Sequence, residues 1–169
     1  MASYDTSNAV WDWLVSTFRA ETAVGHRNTG ILDVRKGLQL WTQAVPAMGV
    51  QLMSSRRKTY ATNKDLLTHE FVIVVGVKSL DSTSPTGFPN LDDANQHLVP
   101  LLSDGAGNGI IAILDYDITV GGLANTSRIT RIDYQQEIRD IPASEQAGQV
   151  SDVWAYAFIT FETEHFVTI

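Results

Sequence analysis

Two stretches of this chain are apolar on both faces when read at strand periodicity. Between residues 66 and 79, Phe71, Ile73, Val75 and Val77 fall on one side of an extended chain, and Val72 and Val74 on the other. Later, Val153, Ala155, Ala157, Ile159 and Phe161 alternate with Trp154, Tyr156 and Phe158. Successive side chains of a strand point to opposite faces, so a strand apolar on both is covered on both. The two segments are therefore predicted to be central in a sheet. Two weaker patterns add to them. Met48, Val50 and Leu52 alternate with Gly49 and Gln51, a half-buried strand entered from the turn at Pro46. Residues 128 to 138 set Ile132, Tyr134 and Ile138 against Arg131, Asp133 and Glu137, a strand with one wet face.

Helical spacing occurs twice. Over residues 8 to 20, Val10, Trp13, Leu14, Thr17 and Phe18 share a face while Asp12, Ser16 and Arg19 fall elsewhere, and Asp5, Thr6 or Ser7 can cap the start. A second helix follows Asn90 as cap, with Asp92 and Asp93 in its first turn, where the macrodipole favours negative charge. Its apolar side is Leu91, Ala94, Leu98 and Leu101, and Pro100 is expected to kink or end it. The stretch from Ile31 to Trp41 is ambiguous, and Ile110 to Leu114 reads as an apolar segment or strand. Residues 25 to 30, 79 to 90 and 104 to 109 carry loop and turn chemistry.

These patterns predict one α+β domain over residues 1 to 169: a mostly antiparallel mixed sheet with two helices packed on one face, and polar loop or arm excursions. The second face is left to other chain segments or to another subunit. There is no internal repeat, low-complexity run or linker to divide the chain.

Composition narrows the function classes. A chain of 169 residues, 44% hydrophobic, buries a core without staples, and zero cysteines remove disulfides, thiolate metal sites and thiol nucleophiles together. A net charge of −7 disfavours a phosphate-neutralising nucleic-acid surface. The opening MASYDTSNAV lacks the basic start and apolar stretch of a signal peptide, and no window supplies the roughly 20 apolar residues of a membrane span, so a soluble, unexported protein is expected. Asn125-Thr126-Ser127 fits a glycosylation acceptor but reads here as a polar turn.

Candidate chemistry is sparse. His26, His69, His97 and His165 are scattered without ligand spacing, and Asp115 with Asp117, placed on one strand face, offers too few oxygens to specify a cation. The glycine-rich segment 105 to 109 lacks the lysine and hydroxyl residue of a phosphate loop, and no GxSxG elbow occurs. The concentrated positive feature is Arg56, Arg57 and Lys58, with Arg35, Lys36 and Lys64 as possible spatial neighbours. It reads either as a solvated hairpin end or as a docking contact for an acidic partner face. All four tryptophans, Trp11, Trp13, Trp41 and Trp154, can be packing residues, and about three of them are expected to be. Trp11 and Trp13 cannot share a helix face, which makes Trp11 or Trp13 a candidate interface anchor, and Trp11 is carried forward. Phe88, within the 79 to 90 stretch, completes the candidate contact residues: Arg56, Arg57, Lys58, Trp11 and Phe88.

The order of parts is an N-terminal helix, the segment Pro46-Ala47-Met48-Gly49-Val50-Gln51-Leu52, a basic hairpin, the strand Glu70 to Val77, a polar excursion, a second helix and the strand Val153 to Glu162. This layout resembles the tail-terminator family of long-tailed bacteriophages, minor tail proteins that cap a completed tail tube. The resemblance implies a mixed α/β fold assembled as a homo-oligomeric, hexameric ring, bound by the tail tube protein on one side and the head-tail connector on the other. It implies DNA passing through without specific binding, residence in the virion tail and neck after assembly in the host cytoplasm, and no catalysis, cofactor or membrane. The 79 to 90 excursion would then supply subunit or tube contacts. Another neck or tail-completion protein would share the layout. A small ligand-binding or metabolic domain, with a pocket beside the 105 to 109 turn, is the alternative from a different class.

Overall fold

A computed structural model describes residues 5–23, 26–28, 30–38, 46–78, 91–140 and 151–168. The elements run α1 (Asp5–Ala20), β1 (Asp33–Lys36), β2 (Ala47–Ala61), β3 (Lys64–Lys78), α2 (Leu91–Leu102), α3 (Ile110–Tyr116), β4 (Thr126–Asp140) and β5 (Ser151–Thr168). The five strands form one sheet in the order β1-β2-β3-β5-β4, with β1 parallel to β2 and every other neighbour antiparallel. This is an α+β fold with a mostly antiparallel mixed sheet. The strands apolar on both faces, β3 and β5, pair along their full length near the middle of the sheet.

Register explains where the core lies. Val50, Ile73, Ile159 and Ile132 stand in one row across β2, β3, β5 and β4, and Met48, Val75, Ala157 and Tyr134 in the next. The same face carries Phe71, Val77, Val153, Ala155 and Phe161, and these side chains pack with Val10, Leu14 and Phe18 of α1, Leu98 and Leu102 of α2, and Ile110, Ile113 and Leu114 of α3. All three helices therefore lie on one face. Ala155 and Ala157 present little bulk on the core face of β5, a strand that α2 contacts. The opposite face is partly buried within the single chain: Val74, Ala47 and Tyr156 are inaccessible, and Trp154, Tyr156 and Phe158 form a ladder with ring centroids 6.2 Å apart. Where this face meets Gly49, a Cβ would run into the backbone carbonyl of Gly37. Only glycine allows that approach.

Three readings change. The apolar segment at 110 is the short helix α3, because Ile110, Ile113 and Leu114 are buried at i, i+3 and i+4. Among the described residues the helices are thus three, not two. The ambiguous stretch after Ile31 contains the edge strand β1, with Val34 buried opposite Met48. Pro100 lies inside α2, which continues to Leu102 before the chain leaves the helix. The expected arm at 79 to 90, with Phe88, and Trp41 lie outside the described residues.

Candidate assembly surface

The long strands β2, β3 and β5 extend together to the hairpin tip. β2 and β3 form a hairpin paired from Ala47 and Gly76 out to Ala61 and Lys64, with irregularities at Leu52/Ser54 and Thr59/Ala61, and β5 accompanies β3 to that tip. In this outer half the face that continues the core turns polar while staying buried: Asp65, His69, Thr163, His165 and Ser127 are all enclosed. Their cover includes the turn after α3, which Asp117 organises by accepting from the Thr119 amide and hydroxyl and the Gly121 amide. The turn is tied to the sheet by the Asn125 amide on the Glu164 carbonyl and by the Phe166 amide on the Asn125 side chain.

Two histidines meet there. The rings of His69 and His165 lie 4.9 Å apart, with Ser55 Oγ 2.8 Å from His69 Nδ1 and Thr163 Oγ1 3.1 Å from His165 Nε2. Burial, and secondarily the neighbouring His165, holds His69 down to about 4, so both rings rest neutral at pH 7. His165 is lowered by burial, against a pull upward from the Leu123 carbonyl. Nε2 of His69 has no hydrogen-bond partner. Reading the histidines as separate residues is thus corrected for this pair. Among the described residues no three His, Cys, Asp or Glu side chains group as metal ligands. Ser55 and His69 do not make a hydrolytic pair of the familiar kind, since a base held near 4 is a poor proton acceptor at neutral pH.

The basic run is split by strand alternation. Arg57 turns to the core side and pairs with the buried carboxylate of Asp65, whose second oxygen is unpartnered. Arg56 turns to the opposite face and reaches Glu70 at 3.2 Å, as Arg128 on β4 reaches Glu162 at 3.2 Å and Glu164 at 3.5 Å. Lys58, opposite Leu66, shares Arg56's face and is exposed. Near the tip, Tyr60 and Phe166 make an exposed edge-to-face pair with centroids 5.1 Å apart.

Arg35 and Lys36 do not join this cluster. Arg35 pairs with Asp33 at 2.5 Å, while Lys36 reaches Asp12 at 2.7 Å and lies 4.3 Å over the Trp11 ring. β1 stops opposite Val50, and the six residues from there to Arg56 span about 20 Å of strand. Lys64 does begin β3 at the hairpin tip. Trp11 is half-buried, its indole N–H donating to the Val50 carbonyl at 2.7 Å, and Trp13 packs against Gly121, so both rings are engaged within the chain.

At the other side of the sheet β4 exposes residues of the core-facing row: Tyr134 is 59% accessible and Ile138 60%. The alternation of Ile132, Tyr134 and Ile138 located this strand, but no local pattern could show that the helices leave Tyr134 and Ile138 uncovered. Asp115 and Asp117, read as one strand face, instead lie on α3 and at its end, and Asp117 is committed to its turn. Asp104 likewise accepts from the Ala106 and Asn108 amides and the Asn108 side chain, which hold its carboxyl below the ordinary range. The 105 to 109 segment is therefore an Asx-stabilised turn. It borders a cleft of about 420 Å³ that also contacts Arg27, Asn28 and Leu101. The sequence matches no protein-family model and no curated protein.

Proposed function

We propose that this chain is a structural assembly protein of the tail-terminator kind, closing into a homo-oligomeric ring that caps a phage tail tube and presents a surface to the head-tail connector. One observation carries the reading. Apolar side chains stand exposed at two places on the sheet: Tyr134 and Ile138 on the core-facing side of β4, and the Tyr60–Phe166 pair at the hairpin end, where Phe166 lies on the face opposite the helices. A monomer gains little from holding such side chains in water, whereas a neighbouring subunit covers them. The tail-terminator layout of the sequence supplies the particular assembly: a hexameric ring, the tail tube protein and the connector as partners, DNA crossing without specific contact, and a place in the virion neck after assembly in the host cytoplasm. An acidic lining repels a passing duplex, and the chain carries −7.

Negative-stain microscopy and light scattering test this directly. Rings with a central hole that bind tail tubes are expected. A strict monomer at high concentration that never associates with tubes would end the proposal. Association with a different neck component would transfer the chain to that role.

The cleft beside Asp104, Asn108 and Gly109 favours a second reading, a small ligand-binding domain. A ligand at 100 times its dissociation constant raises stability by about 2.7 kcal/mol, which a thermal-shift panel of nucleotides and metals detects. Silence across the panel counts against it.

A further inference from the structure

We infer that neighbouring copies join edge to edge, with β2 beyond Gln51 pairing antiparallel to β4 of the next copy. The inference rests on the reading that the chain self-assembles, and it names the surface. β1 covers β2 only from Ala47 to Val50, so the remainder of β2 has no outer strand among the described residues, and Ser55 to Tyr60 are all exposed. β4 closes the other side of the sheet, also with no outer strand among the described residues. A row of open N–H and C=O groups of this length is a template for another strand unless something blunts it. Because β2, β3, β5 and β4 alternate in direction, β4 of one copy can receive β2 of the next without breaking the antiparallel order.

Charge selects this pairing over its rivals. The β4 stretch Asp133-Tyr134-Gln135-Gln136-Glu137 has a carboxylate at each end and no cation between. Asp133 and Glu137 stand on the face opposite the helices, level with Phe158 and Trp154, which is also the face of Arg56 and Lys58. Setting Arg56 opposite Glu137 of the neighbour puts Lys58 opposite Gln135, between the two carboxylates, and Thr59 opposite Tyr134. The regular part of β2 between its two register shifts, Ser54–Thr59, then lies along Tyr134–Arg139, about 20 Å of ladder at about 3.4 Å per residue. A β4–β4 pair centred on Gln135 would set Asp133 against Glu137, and a β2–β2 pair centred on Arg57 would set Arg56 against Lys58. Like charges directly opposite are destabilising. Among the pairs surrendered, Arg56 with Glu70 and Arg131 with Asp133 are exposed and weak. Two different edges make a heterologous contact, which closes into a ring when its rotation allows.

The absence of cysteine makes the test clean. Oxidised Lys58→Cys/Gln135→Cys should give a ladder of covalent oligomers on a non-reducing gel. Either single variant should stay monomeric, and the two mixed should stop at dimers. Separately, Arg56→Glu/Lys58→Glu should weaken assembly at least tenfold, and adding Asp133→Lys/Glu137→Lys should restore it, with circular dichroism confirming folded monomers. Oligomers that form without the cross-link, or single variants that link to themselves, overturn the edge pairing while leaving self-assembly standing. No oligomer under any condition overturns both.

Discussion

Arg56 and Arg57 are adjacent in the chain and differ in what they hold. Arg57 neutralises Asp65, a buried carboxylate with one oxygen unpartnered, whereas Arg56 and Glu70 pair at the surface. Truncating Arg57 leaves a buried charge without its partner, so Arg57→Ala should cost roughly 1–3 kcal/mol in urea unfolding, against less than about 0.5 for Arg56→Ala. Reversing all three basic residues would therefore damage the hairpin itself, and only Arg56 and Lys58 are fit for an assembly test. His69 gives the second residue-scale prediction. Its folded pKa lies below the unfolded value, so folding favours the neutral ring. That stability is complete above about pH 6.5 and is lost as pH falls toward 4, by about 3 kcal/mol for a shift from 6.5 to about 4. Urea midpoints measured from pH 7 to 4 should fall for the wild type, and His69→Gln should flatten that slope, with the lowered His165 carrying part of what remains. An unchanged slope in the variant would show that other groups carry the acid loss.

At the scale of elements, Trp11 fastens α1 to the sheet where β1 ends. The Val50 carbonyl accepts both the Trp11 indole N–H and the Gly37 amide, each at 2.7 Å. Trp11→Phe keeps most of the ring packing and removes one donor, so a loss of about 1 kcal/mol is expected in denaturant unfolding. No loss would return Trp11 to the list of outward anchors. A helix face of Val10, Leu14 and Phe18 and two strands apolar on both sides were legible in the sequence because each repeats at its own period over many residues. β1 was not, since one buried residue, Val34, in four makes no alternation. α3 was misread because five apolar residues fit both periods, and only its contacts decide between them. The burial of the outer halves of β3 and β5 escaped for another reason. Their enclosed residues are Asp65, His69, Thr163 and His165, and polar side chains do not announce burial. The candidate surface was half legible: the basic run pointed to the hairpin, but which residues face outward depends on the register with Glu70 and Asp65.

For the whole molecule, assembly must overcome a net charge of −7 on every copy. A domain of this size has a radius of gyration of about 15 Å, so neighbouring centres lie about 35 Å apart. Two such charges repel by about 6 kcal/mol in unscreened water. Screening reduces this to about 2 kcal/mol at 0.01 M salt and to about 0.1 at 0.15 M. Ion pairs at about 4 Å are each worth about 1 kcal/mol in water and lose only about a third of that over the same range. Raising salt from 0.01 to 0.15 M therefore removes more repulsion than attraction, and light scattering should show assembly strengthening. Arg56→Glu/Lys58→Glu takes the charge from −7 to −11, two reversals adding four negative charges, and its salt response should be steeper still. Assembly strongest at the lowest salt would mean that contact pairs outweigh the net charge, and that attraction at the edges is larger than two exposed pairs can supply.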